Sequence, residues 1–559
     1  MRNTIALVVL GLLLGVQMRA QTIDPTVEVT RQYEARLGNI VKPALPATVS
    51  DTLDRFERST DYVIFQRPIR DLYDFMPYEA LQIKPVDPED FAFLYARLGM
   101  QVPVMPSAEV RLQKVLRGGL HFGLSALHDS YYGSTPSAFG EWDMRQKRSS
   151  TGFRGDFKYA WDSGEFQFDA LYGLSRYNFR NATADAFAHN YGNDRFNLHA
   201  NIRSADQEEN SIYYDFTAEY RRTGARYDSH DTARETMNED FTSIHGYVGT
   251  TFEIHRVYID MNLTYASFDS LRHYTVGLVE FSPIYEYSNK WLNGKFGIKI
   301  ANRYGTDMED RTRTESVDGN DLSPQSSFFP DVDVRAMVVP KVFWVHARVG
   351  GGNDINVFST LLRQVPFLTP DAQLHFGSRP VDAKLDLETM LWRRVALNAS
   401  ASFVLCRDNP VFVLDPASAE EPWRLRPDYR NYNKLSFGAE ALWKTQSVSI
   451  GGEWRYHLYY ERDGRPLTEL PQMTAGAYVR YSFRDRLTAA LDFTYRSGVE
   501  VSSLEIPAVC DLDANISFLI NKHFTIYAKA GNIFNRAIQY IPGYLEPGIN
   551  FGGGLTVSF

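Results

Sequence analysis

A two-residue periodicity, repeated with no helical periodicity between its repeats, constrains this chain more than any other feature. It is plainest at the end, Ile549–Phe559. One set there reads Phe551, Gly553, Leu555, Val557, Phe559, and the interleaved set reads Gly552, Gly554, Thr556, Ser558. Successive side chains of a strand point to opposite faces, so this segment has one largely apolar face and one small, polar face. The pattern recurs back to about residue 91. A chain of two-faced strands needs somewhere to put its apolar faces. Lipid meets that need, and strands in lipid must close on themselves, because an unpaired backbone group is too costly there.

The repeats predict an all-β fold, a transmembrane antiparallel β-barrel of about 22 strands occupying 91–559. The connections alternate between short and long. Short ones fall at Asp162-Ser163, His255-Arg256, Pro340-Lys341, Arg393, Asp485-Arg486 and Asn521-Lys522. Long ones span 130–150, 178–193, 224–240, 303–330, 352–380, 407–430 and 532–548. Membrane barrels sort their loops this way, with tight periplasmic turns and long extracellular loops. A soluble sandwich has no reason to. The location implied is the outer membrane of a Gram-negative bacterium.

Charge patterning assigns the faces. Along 381–391 the apolar set Val381, Ala383, Leu385, Leu387 alternates with Asp382, Lys384, Asp386, Glu388. An Arg or Lys facing lipid at mid-depth costs about 2–4 kcal/mol, so the charged set is expected to line the lumen. The same reasoning puts Glu453, Arg455, Arg480, Asp492 and Arg496 there. Trp161, Trp443, Phe483, Phe524 and Phe559 lie on outward sets near short turns, as a periplasmic aromatic girdle would. Trp392 breaks the parity and reads as part of its turn. A mean hydropathy of −0.32 agrees with a barrel, in which only alternate residues face lipid.

Ahead of the barrel, residues 1–20 read as a secretory signal, with Arg2 followed by the apolar run Ile5–Val16. Residues 21–90 form a Pro-rich periplasmic extension. A net charge of −9 gives no nucleic-acid footprint. Two cysteines, Cys406 and Cys510, fall on non-adjacent strands and predict neither a disulfide nor a metal motif.

One stretch carries a family resemblance. It runs Gly531-Asn532-Ile533-Phe534-Asn535-Arg536, then Pro542-Gly543-Tyr544, then Glu546-Pro547-Gly548, and ends in the strand closed by Phe559. This resembles the C-terminal end of the TonB-dependent receptors, with Asn532, Phe534, Asn535, Pro547, Gly548 and Phe559 as the motif positions. The resemblance implies a 22-strand outer-membrane barrel and a role in transport. The family also carries a large N-terminal plug, which 21–90 is too short to supply, and Thr26–Thr30 is a faint match to its TonB-contacting segment. The implied protein is a plugless relative, similar to barrels of Bacteroidetes-type bacteria.

No constellation for catalysis is present, nor a cofactor or metal motif: there is no G-x-S-x-G, H-E-x-x-H or Walker loop. His230, in the acidic loop Tyr227–Asp231, reads as solvated. His128 and Asp129, at an expected outer rim, match no known catalytic set. Gly350–Gly352 ends a strand without a phosphate loop's helix. The function expected is a pore or transport component for a polar solute. The alternative is a non-conducting scaffold in an outer-membrane complex. Expected partners are outer-membrane lipid, the insertion machinery, and a surface lipoprotein or periplasmic protein.

Overall fold

The computed structural model describes residues 93–559, apart from 117–118, 137–142, 182–187, 206–211, 230–234, 272, 306–324, 371, 373–374, 416–423, 462, 485 and 503. The signal segment, the extension 21–90 and His230 lie outside the described residues.

Twenty-two strands form one antiparallel sheet. They begin with Leu94–Val102 (β1), Ser107–Leu116 (β2), Leu120–Pro136 (β3), Asp143–Trp161 (β4), Gly164–Asn181 (β5), Ala188–Ser204 (β6) and Ile212–Ser229 (β7). Next come Glu235–Phe252 (β8), His255–Asp269 (β9), His273–Ser288 (β10), Leu292–Gly305 (β11), Gln325–Val339 (β12), Phe343–Asn356 (β13) and His375–Leu391 (β14). The rest are Val395–Leu414 (β15), Leu425–Lys444 (β16), Val448–Glu461 (β17), Met473–Phe483 (β18), Leu487–Arg496 (β19), Val509–Asn521 (β20), Phe524–Gly531 (β21) and Asn550–Ser558 (β22). Each pairs with the next, and β22 pairs with β1, which closes the barrel. Backbone donors and acceptors are thereby satisfied around the ring, as lipid requires.

The strands follow the predicted order one for one, but their extracellular ends run further. β3 and β4 stay paired up to Pro136↔Asp143, inside the stretch 130–150 expected to be a loop. β5 to β8 likewise extend into 178–193 and 224–240. The alternation fades there because the outer face no longer meets lipid chains, while the inner face still buries side chains such as Met144, Phe179, Tyr191 and Tyr227. The ladder continues because it needs only backbone groups. His128 therefore sits mid-strand, hydrogen-bonded through Nδ1 to Thr151 Oγ1 at 2.8 Å, and Gly350–Gly352 lies within β13.

Along β14 exposure alternates with the charge pattern. Leu385 and Leu387 are exposed, whereas Asp386 and Glu388 are buried. Trp392 and Arg393 take φ of 49° and 58°, a consecutive left-handed pair that suits a tight hairpin turn and carries Trp392 out of the strand pattern. At the periplasmic rim Tyr159 stacks on Trp161 at 5.9 Å, and Phe524 meets Phe559 edge-on at 6.2 Å.

The seam has its own packing. Leu94 and Phe559 exchange both backbone hydrogen bonds, 3.0 and 2.9 Å, and Gly99 lies opposite Gly554. The ring of Tyr527 from β21 occupies the space these glycines leave. Its hydroxyl donates to the Leu98 carbonyl at 3.3 Å, and the Arg97 guanidinium lies 4.1 Å over its ring. A Cβ at Gly554 would overlap the Leu98 carbonyl oxygen and the Tyr527 hydroxyl. The glycine face of the closing strand is thus filled by an aromatic ring.

Candidate functional site in the bore

Most of the predicted lumen residues are held in ion pairs. On β12 to β14, Arg335 pairs with Glu388 at 2.5 Å, Lys384 with Asp386 at 2.9 Å, and Asp382 lies 3.5 Å from Arg379 and 3.9 Å from Arg348. His346 bridges Asp333 (2.7 Å) and Asp386 (3.8 Å). A second group runs over β16 to β19. Arg455 pairs with Glu440 (3.1 Å) and Glu453 (3.0 Å), and Arg480 with Asp492 (2.5 Å). Arg496 instead donates to the Tyr540 carbonyl at 3.3 Å, in the loop before β22. Charges held in such pairs need no separate counter-ion, and the wall stays polar while its local charge is largely balanced.

The connection from β13 to β14 folds inward. It opens with a short helix, Phe358–Gln364 (α1). Phe358, Leu361, Leu362 and Val365 follow the spacing of one helical face. That face packs on inward side chains of β9 to β12, among them Ala266, Phe268, Tyr274, Val276, Leu278, Ala301 and Phe329. Val357 at the N-cap offers no side-chain oxygen. The buried carboxylate of Glu239 on β8 takes that part, accepting from the Ser359 backbone N–H at 3.1 Å and matching the positive end of the helix. After the helix, Leu425 N–H donates to the Phe367 carbonyl at 2.9 Å, and Thr369 N–H to the Leu425 carbonyl at 3.1 Å. The Ser270 hydroxyl holds the Pro370 carbonyl at 2.9 Å. The segment is therefore strapped across the bore from β13 to β16 and the β9–β10 turn.

A second loop, 532–549, meets it. Phe367 stacks on Tyr544 with ring centroids 3.8 Å apart, inside a buried cluster with Met144, Phe179, Tyr191 and Tyr227. Gln146 donates to the Leu545 carbonyl at 3.3 Å, and Arg148 pairs with Glu546 at 3.1 Å, fastening this loop to β4. Burial pushes the Tyr544 phenol well above its ordinary range, so the ring stays neutral in the cluster. Together the two loops form an aromatic cap over part of the bore.

The motif residues of the C-terminal stretch organise that second loop. Asn532 is buried at φ 45°. Its side-chain amide donates to the Arg536 (2.8 Å) and Pro547 (3.1 Å) carbonyls. Its side-chain oxygen accepts from the Arg536 N–H at 2.9 Å. Asn535 accepts from the Ile549 N–H at 3.0 Å, and a Cβ at Gly548 would press on that same Asn535 oxygen. Phe534 and Phe559 are exposed, the latter at the barrel's periplasmic edge.

On the periplasmic side of α1 lies a cavity of about 500 Å³. Its walls come from Phe241, Asn262, Thr264, Leu278 and Glu280 on β8 to β10, from Asn353–Val357 at the end of β13, from Thr360 and Gln364 on the helix, and from Asn409, Pro410 and Tyr432. Sequence reasoning missed this chamber and the helix above it. The available signals were the spacing Phe358-x-x-Leu361-Leu362-x-x-Val365 and the polar run Asn353-Asp354-Ile355-Asn356, both inside a stretch read as loop. Among the described residues no group of three or more His, Cys, Asp or Glu is placed to hold a metal ion.

No family model matches this sequence. The iron-regulated outer membrane virulence protein of Vibrio cholerae is 27% identical over 154 residues, covering 24% of this chain and 24% of that protein. The chain thus spans about a quarter of the curated relatives it matches. Solved structures match far more of it. The copper transporter OprC superposes with a TM-score of 0.62 at 10% identity, covering 85% of this chain and 81% of that one. The ferripyoverdine receptor of the outer membrane of Pseudomonas aeruginosa gives 0.62 at 9% identity, covering 84% and 72%. The ferric yersiniabactin uptake receptor FyuA of Yersinia pestis gives 0.62 at 11% identity, covering 84% and 80%. These neighbours are TonB-dependent receptors, and the fold is theirs: a closed outer-membrane barrel of 22 antiparallel strands.

Proposed function

We propose that this outer-membrane barrel is a transport component for a polar solute, its bore narrowed by its own extracellular loops in place of a separate N-terminal plug. The carrying observation is the strapped segment 357–370 lying in the bore, above a polar chamber and a wall of paired charges. A 22-strand barrel is wide enough to need a filler, and a bore meant only as scaffold gains nothing from a hydrated lining. The transport and receptor neighbours, together with the outer-membrane relative, favour the same reading. In it, 1–20 directs secretion, 21–90 is a periplasmic extension, and the chain is a plugless, Bacteroidetes-type relative of the TonB-dependent receptors with no catalytic step. A surface lipoprotein or periplasmic protein would open the cap.

The second reading, a closed scaffold for an envelope complex, draws on the aromatic cluster that joins the two loops. Liposome swelling separates the two. The transport reading expects neutral solutes to enter vesicles carrying the protein, faster once residues 21–90 are removed. It also expects Lys384→Glu to shift the preference between anions and cations. No uptake in either form, with the barrel folded, would favour the scaffold.

A further inference from the structure

We infer that the outer face of β4 to β7, just above the lipid chains, is a docking surface for the phosphorylated headgroup of an outer-leaflet lipid, lipopolysaccharide in a Gram-negative outer membrane. The direction of these side chains follows from the cap. On the extracellular halves of β4 to β7, Met144, Phe179, Tyr191 and Tyr227 pack with Phe367 and Tyr544 of the two inward loops. Residues of the opposite parity therefore face away from the bore. They include Arg145 and Lys147 on β4, Arg176 and Arg180 on β5, and Arg226 on β7. Arg145, Lys147, Arg180 and Arg226 are exposed, and Arg176 is half-buried. The same parity, followed toward the periplasm, reaches Phe153, Tyr172 and Phe196, exposed residues that stand side by side in the ladder.

The cations are placed against one another more than against acids. Arg145 and Arg180 stand directly opposite in the β4–β5 ladder, where like charges repel. Arg176 and Arg226 flank Gly192 of β6 from its two sides. The Arg176 guanidinium lies over that glycine, where a Cβ would meet its Nη1. Among the described residues only Arg226 of the five is in an ion pair, with Asp194 at 3.5 Å. The other exposed acids of this face, Asp143 and Asp228, sit at strand tips. On β8 and β9 the same face carries Asn238, Asp240 and Asp269 instead, so the cationic patch is confined to β4 to β7. An anion between the facing arginines relieves their repulsion, and phosphate oxygens match the guanidinium fork. The depth suits a headgroup. Arg176 lies four residues beyond Tyr172, about 13 Å of strand, and Lys147 six beyond Phe153, about 20 Å. Acyl chains on the aromatic row bring sugar phosphates to that level. A soluble anion has no use for that row, so the two features together specify an amphiphile.

Native mass spectrometry of the full-length, detergent-solubilised protein tests this. The probes are a bis-phosphorylated lipid A, the same lipid with its phosphates removed, and phosphatidylglycerol, an anionic lipid without sugar phosphates. The parent is expected to hold the phosphorylated lipid A about tenfold more tightly than either of the others. Arg145→Gln combined with Arg180→Gln should weaken that binding about tenfold, as should Arg176→Gln. Lys290→Gln, in the periplasmic β10–β11 turn, removes the same charge and should change nothing. Heat-modifiable migration on gels checks that each variant keeps the folded barrel. In lipid-free micelles Arg180→Gln should melt no lower than the parent, because it removes a like-charge pair. A lower melting point would make this arginine part of the fold and not of a docking surface. The inference is overturned if the dephosphorylated lipid or phosphatidylglycerol binds as well as the phosphorylated one, or if the folded patch variants bind as the parent does. Binding of no lipid would also overturn it and leave the patch to a protein partner. None of these outcomes depends on what passes through the bore.

Discussion

Replacing Val357–Pro370 by a short Gly-Ser turn is expected to turn the barrel into a wide, leaky pore. Cells producing it should become sensitive to vancomycin, a large polar antibiotic, by roughly an order of magnitude, because a 22-strand bore without filler leaves a broad channel. The barrel itself should survive. β13 and β14 pair down to Asn356↔His375, so their ladder is independent of the removed segment. The loss falls on the cap: α1 leaves its apolar seat, and Tyr544 loses the stacked Phe367, a contact worth about 0.5–1.5 kcal/mol beyond its buried area. The same replacement in a chain lacking 21–90 tests whether the extension shares the filling. Unchanged antibiotic sensitivity in both backgrounds, with normal levels of folded barrel, would show that these loops do not obstruct the bore.

Gly554→Val is expected to abolish the assembled barrel. The added side chain starts where the Leu98 carbonyl oxygen and the Tyr527 hydroxyl already sit, on the strand that closes the ring. The Leu98 oxygen is backbone, so relief requires β1 and β22 to part. A clash of this kind costs about 4 kcal/mol or more. Heat-modifiable migration from isolated outer membranes should show the folded band lost. Thr556→Val, on the same face two residues on, keeps a side chain of similar size and should assemble normally. Normal assembly of Gly554→Val would mean that the seam tolerates a gap and that Tyr527 does not fix it.

Within the lipid span, sequence and structure coincide because the environment imposes a two-way choice at each residue. Leu385 outside and Asp386 inside follow from one rule, and Trp392 was readable as turn because it broke that rule. Outside the span the rule lapses. The upper halves of β3 to β8 no longer have lipid chains on the outer face and bury Met144, Phe179, Tyr191 and Tyr227 on the inner one, so Tyr131 to Pro136 reads as loop although each of these residues pairs with β4. The cap was illegible for a further reason. α1 shows its apolar face for only two turns, and its partners Phe268, Val276 and Phe329 come from separate strands. The helix cap from Glu239 lies 120 residues from Ser359, a pairing that no local spacing encodes. The chamber combines both limits. Its amides come from mid-β9, the end of β13, the helix and β15, and only the fold brings Glu280 and Asn353 to one cavity. The C-terminal motif was recognised, yet its physical role emerges only in the fold: Asn532 and Asn535 shape the loop that carries Tyr544 to the cap.

Single-channel recording in a planar bilayer tests the central claim most directly, using the purified full-length protein beside its Phe367→Ala variant. Phe367 stands where both loops meet the wall, so its removal should loosen the cap without touching a barrel strand. A capped transport pore predicts small or intermittent steps for the parent, with larger and longer openings in the variant, and the same ordering after residues 21–90 are deleted. Silence from every form, with the barrel shown to be folded and inserted, would contradict a loop-capped pore and make this protein a closed scaffold.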